Sequence, residues 1–251
     1  MTPPSLTCPA LAVPHGFFTR HGGVSTGPFA SLNGSLSGGD DPDRVASNRA
    51  RVAASLGLSG GAALLGLTQV HGTHVVRVSK PWSSGNGPSA DAMVTDRPGT
   101  GLVVITADCA PVLLADAHRG VVAAAHAGWR GAVAGILERT VDAMRALGAS
   151  RIDAAIGPCI GPESYQVGPD LRHDVLQASP WAETCFLPDP DPARFRFDLA
   201  RYCAARLRQA GVAVHTVTAD TCAEPDRFFS HRRRVLAGGG PIGHQMSAVA
   251  A

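Results

Sequence analysis

The chain has 251 residues, 45% of them hydrophobic and 17% charged, enough apolar side chain to offset the entropy of ordering and to exclude a disordered chain. Its 22 Lys and Arg nearly cancel its 20 Asp and Glu, for a formal charge of +2, so no general electrostatic pull toward nucleic acid is expected. Asp108, Asp116 and Arg119 interrupt the richest apolar stretch, residues 101–127, and no run approaches the ~18 residues of a membrane span.

In chain order, apolar runs of strand length fall at residues 16–19, 64–70, 75–78, 92–95, 102–106, 112–116, 121–126, 152–156 and 212–218. Several are continuous Val, Leu, Ile and Ala, the pattern of strands covered on both faces. Helical spacing predicts helices over 42–56, 132–147, 169–178 and 199–210. Asp41 can cap the first, with Pro42 at its first position, and Gly148 supplies the left-handed stop of the second. The turn-rich stretches 83–89 and 187–192 read as surface loops. With no internal repeat, the expectation is an α/β (α+β) fold, a single domain over residues 1–251 with mixed β-sheet layers covered by helices.

Residues 1–11 lack a basic region followed by an apolar stretch, which makes cytoplasm the default setting. The six cysteines (8, 109, 159, 185, 203 and 222) are scattered without a small-domain framework and read as reduced thiols. Of the 22 basic residues, 21 are Arg and Lys80 is the lone Lys, which leaves almost no room for a lysine nucleophile.

Three segments set polar residues at the ends of apolar runs: Gln69-Val70-His71-Gly72, Thr106-Ala107-Asp108-Cys109-Ala110-Pro111 and His126-Ala127-Gly128-Trp129-Arg130-Gly131. If their strands share a sheet and point the same way, His71, Cys109 and His126 emerge at one edge, where two imidazoles and a thiolate make a zinc set with an open fourth position. The spacings of 38 and 17 residues match no zinc finger, and a buried inert thiol is the commoner fate of a cysteine. Asp108 is the nearest carboxylate for proton transfer or for orienting a ligand, and equally a turn cap. The Gly128-Trp129-Arg130-Gly131 run could hold an anion or merely turn from strand to helix. Arg20, in Thr19-Arg20-His21-Gly22-Gly23, offers a rigid fork to phosphate or carboxylate and is followed by Ser31-Leu32-Asn33-Gly34; the Lys-Ser/Thr pair of a P-loop is missing. The basic run Ser230-His231-Arg232-Arg233-Arg234 is a solvated face, or an edge strand whose arginines reach an anionic substrate.

Taken in order, TRHGGVS, SLNG, Asn48-Arg49, QVHG, Ala90-Asp91-Ala92, ADCAPVLLAD, HAGWRG, IGPCIGPESYQVG and FFSHRR closely resemble the laccase-domain family, also called the multicopper polyphenol oxidase, purine nucleoside phosphorylase or peptidoglycan-editing-factor family. The resemblance runs from about Phe17 to Arg233. It implies zinc on His71, Cys109 and His126, and phosphorolysis of adenosine, guanosine, inosine and methylthioadenosine together with hydrolytic deamination of adenosine. Under that reading Cys109, Asp108 and His126 are catalytic, Asp108 moving protons. Arg20, Asn33, Arg49, Arg130 and Arg232 hold purine nucleoside and phosphate, and no arginine is singled out.

Copper is the alternative metal, although a multicopper oxidase needs a further histidine cluster and the other histidines are scattered. Two rival readings stand beside this one. Cys109 could be the thiolate nucleophile of an amide hydrolase editing cell-wall precursors, or the metal could be structural, with Cys159 or His74 as fourth ligand. Gln166, His231 and the Gly-rich stretch 237–240 depart from the family pattern. A homodimer is carried as an expectation that no sequence pattern identifies.

Overall fold

The computed structural model describes residues 2–58 and 64–251. One sheet has the order β13-β9-β7-β8-β5-β4, with β4 at Val75–Arg77, β5 at Ala92–Thr95, β7 at Ala110–Asp116, β8 at Val121–Ala127, β9 at Asp153–Ile156 and β13 at Ala213–Thr216. Its edge pairs β4/β5 and β9/β13 are parallel and its inner pairs antiparallel. The other large sheet has the order β1-β2-β14-β6-β3, built from Ser5–Leu6 (β1), His15–Phe18 (β2), Leu64–Leu65 (β3), Gly101–Thr106 (β6) and Gln245–Ala250 (β14). Three short antiparallel strands, Gln166–Val167 (β10), Phe186–Pro188 (β11) and Phe195–Phe197 (β12), form a third.

The two-residue period of a strand sends successive side chains to opposite faces, and here both faces are dry. Val112 and Leu114 of β7, with Ala123 and Ala125 of β8, share a core with α3 (Ile136–Ala146), α4 (Pro169–Ala178) and α5 (Leu199–Gln209) through Ile136, Leu137, Val141, Met144, Val175, Tyr202 and Leu207. Their alternates Leu113, Ala115, Val122 and Ala124 pack against Phe17, Leu102, Val104 and Val249 of the second sheet. That sheet turns Phe18, Val103, Met246 and Ala248 onto Val52, Ala53 and Leu56 at the end of α1 (Pro42–Ser55). The layers run helix, sheet, sheet, helices, which is why the inner strands read as unbroken apolar runs. The mixed α/β architecture is as expected.

Asp41 caps α1 as expected, its carboxylate accepting from the N–H groups of Asp43 and Arg44 with Pro42 in the first turn. The helix predicted over 132–147 is two helices, α2 (Trp129–Ala134) and α3, because Gly135 adopts φ +99° and breaks the ladder. Gly148 stops α3 at φ +90°. The strand predicted over 64–70 ends at Leu65. Beyond it, the Gln69 side-chain amide replaces backbone pairing, with Nε2 donating to Ile105 O and Oε1 accepting from Ile105 N, both at 2.8 Å. β14 was not predicted: QMSAVA has one β-branched residue, and its central place between β2 and β6 comes from the partners that bury it. No helix of the described residues is long and apolar enough to cross a membrane.

Candidate metal site and cavity

Cys109 lies in the turn 107–109, where the chain leaves β6 in one sheet and enters β7 in the other. His126 stands near the end of β8, directly opposite Pro111 of β7. The antiparallel pairing thus brings the start of one strand to the end of the next, in place of the three co-directional strands expected. His71 arrives from the loop between β3 and β4. His71 and Asp108 are the non-glycine residues with positive φ among the described residues, at +58° and +89°. That strained backbone sits at the site, as it commonly does where function over-determines local conformation.

One ligand atom from each of His71, Cys109 and His126 lies within 4.8 Å of the others. A tetrahedral zinc with ordinary bond lengths separates a thiolate sulfur from an imidazole nitrogen by about 3.6 Å, and Cys109 Sγ lies 3.7 Å from His71 Nε2. A metal ion therefore fits the three residues in donor chemistry and spacing. The glycine at 128 is part of the fit: a Cβ there would fall 2.8 Å from His71 Cδ2 and 3.2 Å from Cys109 Sγ.

Asp91, fully buried just ahead of β5, organises the cluster. Its Oδ1 accepts from His126 Nδ1 at 2.8 Å and from the His71 N–H at 2.9 Å, and its Oδ2 from the Gly72 N–H at 2.7 Å. Burial favours its neutral form, but the His126 hydrogen bond and the two backbone donors hold the carboxyl below the usual range. The Nδ1–H tautomer thus selected leaves His126 Nε2 as the ligand atom. Burial likewise works against a charged Cys109, yet His126 and then His71 bring its thiol down to about 6. Against burial, Cys109 and Asp91 raise His126 to about 9.

The orienting carboxylate is therefore Asp91 and not Asp108. The Asp108 carboxylate accepts from Thr221 Oγ1 at 2.7 Å, Ser230 Oγ at 2.9 Å and the Arg232 N–H at 2.6 Å, which fastens the 107–109 turn to α6 (His231–Leu236). The basic run is thus a helix capped by Ser230, neither an edge strand nor a wholly solvated face. Arg233 spends its guanidinium on the carbonyls of Thr221, Cys222 and Phe228, while Arg232 turns to the cavity.

The cluster lines a cavity of about 720 Å³, within the range of small-molecule sites. Arg130 lies over the Trp129 ring, 4.8 Å from its centroid, and Arg232 over the Tyr165 ring at 5.5 Å; all four line the wall. Burial raises the Tyr165 phenol well above its ordinary value, so it stays protonated. Burial, then the nearby His126, His231 and Arg234, push the cavity-lining His244 down to about 4. Its Nδ1 has no partner among the described residues. Ser84, Gly85 and Gly87, in the stretch read as a surface loop, also form wall.

Arg49 lies on the wall as well, but Arg20 and Asn33 do not. Arg20 donates to the carbonyls of Ala30 and Pro225 and covers the Phe229 ring. Asn33 bonds Asp40 and accepts from the N–H groups of Ser35 and His244. Both side chains hold loops together away from the wall on which Arg49, Arg130 and Arg232 lie. Cys159 and His74 stand outside the metal cluster; burial raises the Cys159 thiol well above its ordinary value, and His74 Nδ1 lies 3.1 Å from Ser89 O. Asp91, Tyr165 and His244 have no site role assigned from sequence, and Gly128 enters there only as part of the run that could hold an anion or turn from strand to helix. The available signal was a lone acid before an apolar strand at Asp91, and nothing local marked His244.

A family model described as multi-copper polyphenol oxidoreductase laccase matches residues 14–251. A protein named purine nucleoside phosphorylase from Deinococcus radiodurans is 45% identical over 234 residues, covering 92% of this chain and 87% of that protein. Purine nucleoside phosphorylase YfiH of Escherichia coli K12 is 40% identical over 224 residues, 88% of each chain. The crystal structure of Neisseria meningitidis protein NMB0706 matches with a TM-score of 0.87 at 35% identity, covering 100% of this chain and 99% of that one. YlmD from Geobacillus stearothermophilus matches at 0.84 with 33% identity, covering 94% and 90%. From sequence and fold along nearly its whole length, the chain belongs to the multi-copper polyphenol oxidoreductase laccase family.

Proposed function

We propose that the chain is a zinc-dependent purine nucleoside enzyme, cleaving adenosine, inosine, guanosine and methylthioadenosine by phosphorolysis and deaminating adenosine by hydrolysis. The observation that carries this reading is the His71, Cys109, His126 cluster in the wall of a nucleoside-sized cavity that also holds Arg130 and Arg232. The names of the relatives support the phosphorylase half.

In phosphorolysis a phosphate oxygen bonds to ribose C1′ as the bond from C1′ to the base nitrogen breaks, and the departing base takes up a proton. Arg130 and Arg232 hold the phosphate, each with a planar fork suited to two of its oxygens. Both guanidinium groups lie over aromatic rings that fix their direction, so catalysis rests on positioning and charge. Asp108 keeps Arg232 in place through its backbone and acts as a positioning residue. His71, Cys109 and His126 would hold the zinc, which would supply Lewis-acid polarisation and water activation, the chemistry deamination needs. Copper would suit the same donors, but the described residues hold one such cluster, and a multicopper centre needs more. The six unpaired cysteines support a reducing, cytoplasmic setting.

A second reading has its own observation: a Cys109 thiol beside two imidazoles, as in a thiol hydrolase. Metal content and adenosine turnover measured on one preparation, with and without phosphate and beside Cys109→Ala, decide between them. About one zinc per chain with phosphate-dependent adenine release, lost in the variant, is the expected result. Inosine formed without phosphate reports the deaminase activity. Zinc without turnover, together with a covalent Cys109 adduct from a reactive amide, overturns the nucleoside reading.

A further inference from the structure

Arg49 of α1 is a buried cation without a counter-ion. Its residue is 6% exposed; Nη1 donates to Gly34 O and Nη2 to Leu64 O, both at 3.3 Å, and no carboxylate pairs with it among the described residues. The sequence outside them, Met1 and residues 59–63, contains no acidic side chain. Burial alone lowers its pKa, to about 10, with no neighbouring charge contributing, and the group remains protonated at neutral pH. A charge taken out of water is costly unless an opposite charge meets it. Two long contacts to neutral carbonyls leave most of its five N–H donors for another partner.

The guanidinium faces the cavity. Arg49, Gly34, Ser35, Leu64 and Gly66 all lie on its wall, and a Cβ on Gly66 would come 3.0 Å from Nη2. The glycine at 66 keeps that side of the guanidinium clear of a side chain. The other cavity arginines, Arg130 and Arg232, belong to the wall around Trp129 and Tyr165. His244 joins the Arg49 wall to the metal site: its carbonyl accepts from the Gly34 N–H at 3.0 Å, and it lines the same cavity as His126. The cavity therefore has two cationic poles.

We propose that the Arg49 pole is a second anion subsite, which takes a phosphate group separately from the Arg130 and Arg232 pair. The phosphate can be the free ion or the ester of a nucleotide, since the guanidinium recognises the same oxygens in either. This subsite follows from the charge and shape of the wall and does not depend on turnover, so a chain that binds phosphate at Arg49 without cleaving nucleosides would still possess it.

The test is calorimetric titration of the full-length, metal-loaded protein with inorganic phosphate, adenosine and adenosine monophosphate at constant ionic strength. It compares the wild type with Arg49→Gln, Arg49→Lys and the double variant Arg130→Gln, Arg232→Gln. Arg49→Gln keeps amide donors for the two carbonyls and removes the charge. It should weaken a phosphate-bearing ligand at least tenfold and leave adenosine within twofold, with Arg49→Lys in between. The double variant should retain the Arg49-dependent binding. Loss for the monophosphate identifies an ester subsite, and loss for inorganic phosphate alone a free-ion subsite. A folded Arg49→Gln protein that binds both phosphate ligands like the wild type overturns the proposal. Should that variant fail to fold, wild-type crystals soaked in tungstate give the answer: anomalous density at Arg49 supports the subsite, and density confined to Arg130 and Arg232 refutes it.

Discussion

Asp91 Oδ1 lies 2.8 Å from His126 Nδ1, with both residues buried, and the same carboxylate gathers the N–H groups of His71 and Gly72. One side chain thus fixes the tautomer of one metal ligand and the backbone of another.

Asp91→Asn should lower metal affinity by about 10- to 100-fold, the usual cost of losing a carboxylate behind a ligating imidazole. Competition with a chromophoric chelator measures this directly. Affinity equal to that of the wild type would show that the carboxylate serves folding alone.

Gly128→Ala tests the packing of the cluster. Its Cβ would stand 2.8 Å from His71 Cδ2 and 3.2 Å from Cys109 Sγ, so the ligands must give way. We expect a folded protein, with a melting temperature near that of the wild type, that binds metal at least tenfold more weakly.

Asp108→Ala separates positioning from metal binding. The substitution frees Thr221, Ser230 and the Arg232 N–H but removes no ligand. Metal content should stay near one per chain while KM for phosphate rises several-fold. A fall in kcat with unchanged KM would instead give Asp108 a direct part in proton transfer.

The acid limb of stability should depend on Asp116, whose carboxylate accepts the N–H groups of Ser150, Arg151 and Arg119. Burial opposes its charge, but these donors depress its pKa. A depressed folded-state pKa contributes stability that is full above the unfolded value of about 3.9 and fades as pH falls through the folded value. Asp116→Asn should therefore be less stable than the wild type at pH 7, by about 1–3 kcal/mol. The gap should narrow below about pH 4, the ordinary carboxylate range, as urea melts across pH would reveal.

Gln69→Ala removes two hydrogen bonds to Ile105 and leaves that strand's N–H and carbonyl without partners. A loss of about 1–3 kcal/mol is expected from denaturant unfolding, with weaker metal binding because His71 follows two residues later.

By itself the sequence determined the elements whose signals are local and strong. The inner strands β7 and β8 are legible because both faces are buried, and α1 because Asp41 and Pro42 mark its start. The metal trio is legible because His and Cys stand where apolar runs end. The tertiary structure alone decided what depends on partners distant in the chain. β14 is a strand because β2 and β6 flank it, although its own residues barely favour one. Asp91 and Asp108 are both acids beside an apolar strand, yet one faces His126 and the other the end of α6, a choice made by the packing of segments 35 and 124 residues away. Among the arginines, Arg20 and Arg49 each donate to two carbonyls, yet Arg20 lies off the cavity wall and Arg49 on it. A guanidinium's role follows from which donors the fold leaves free, and that is settled only when the loops around it have closed.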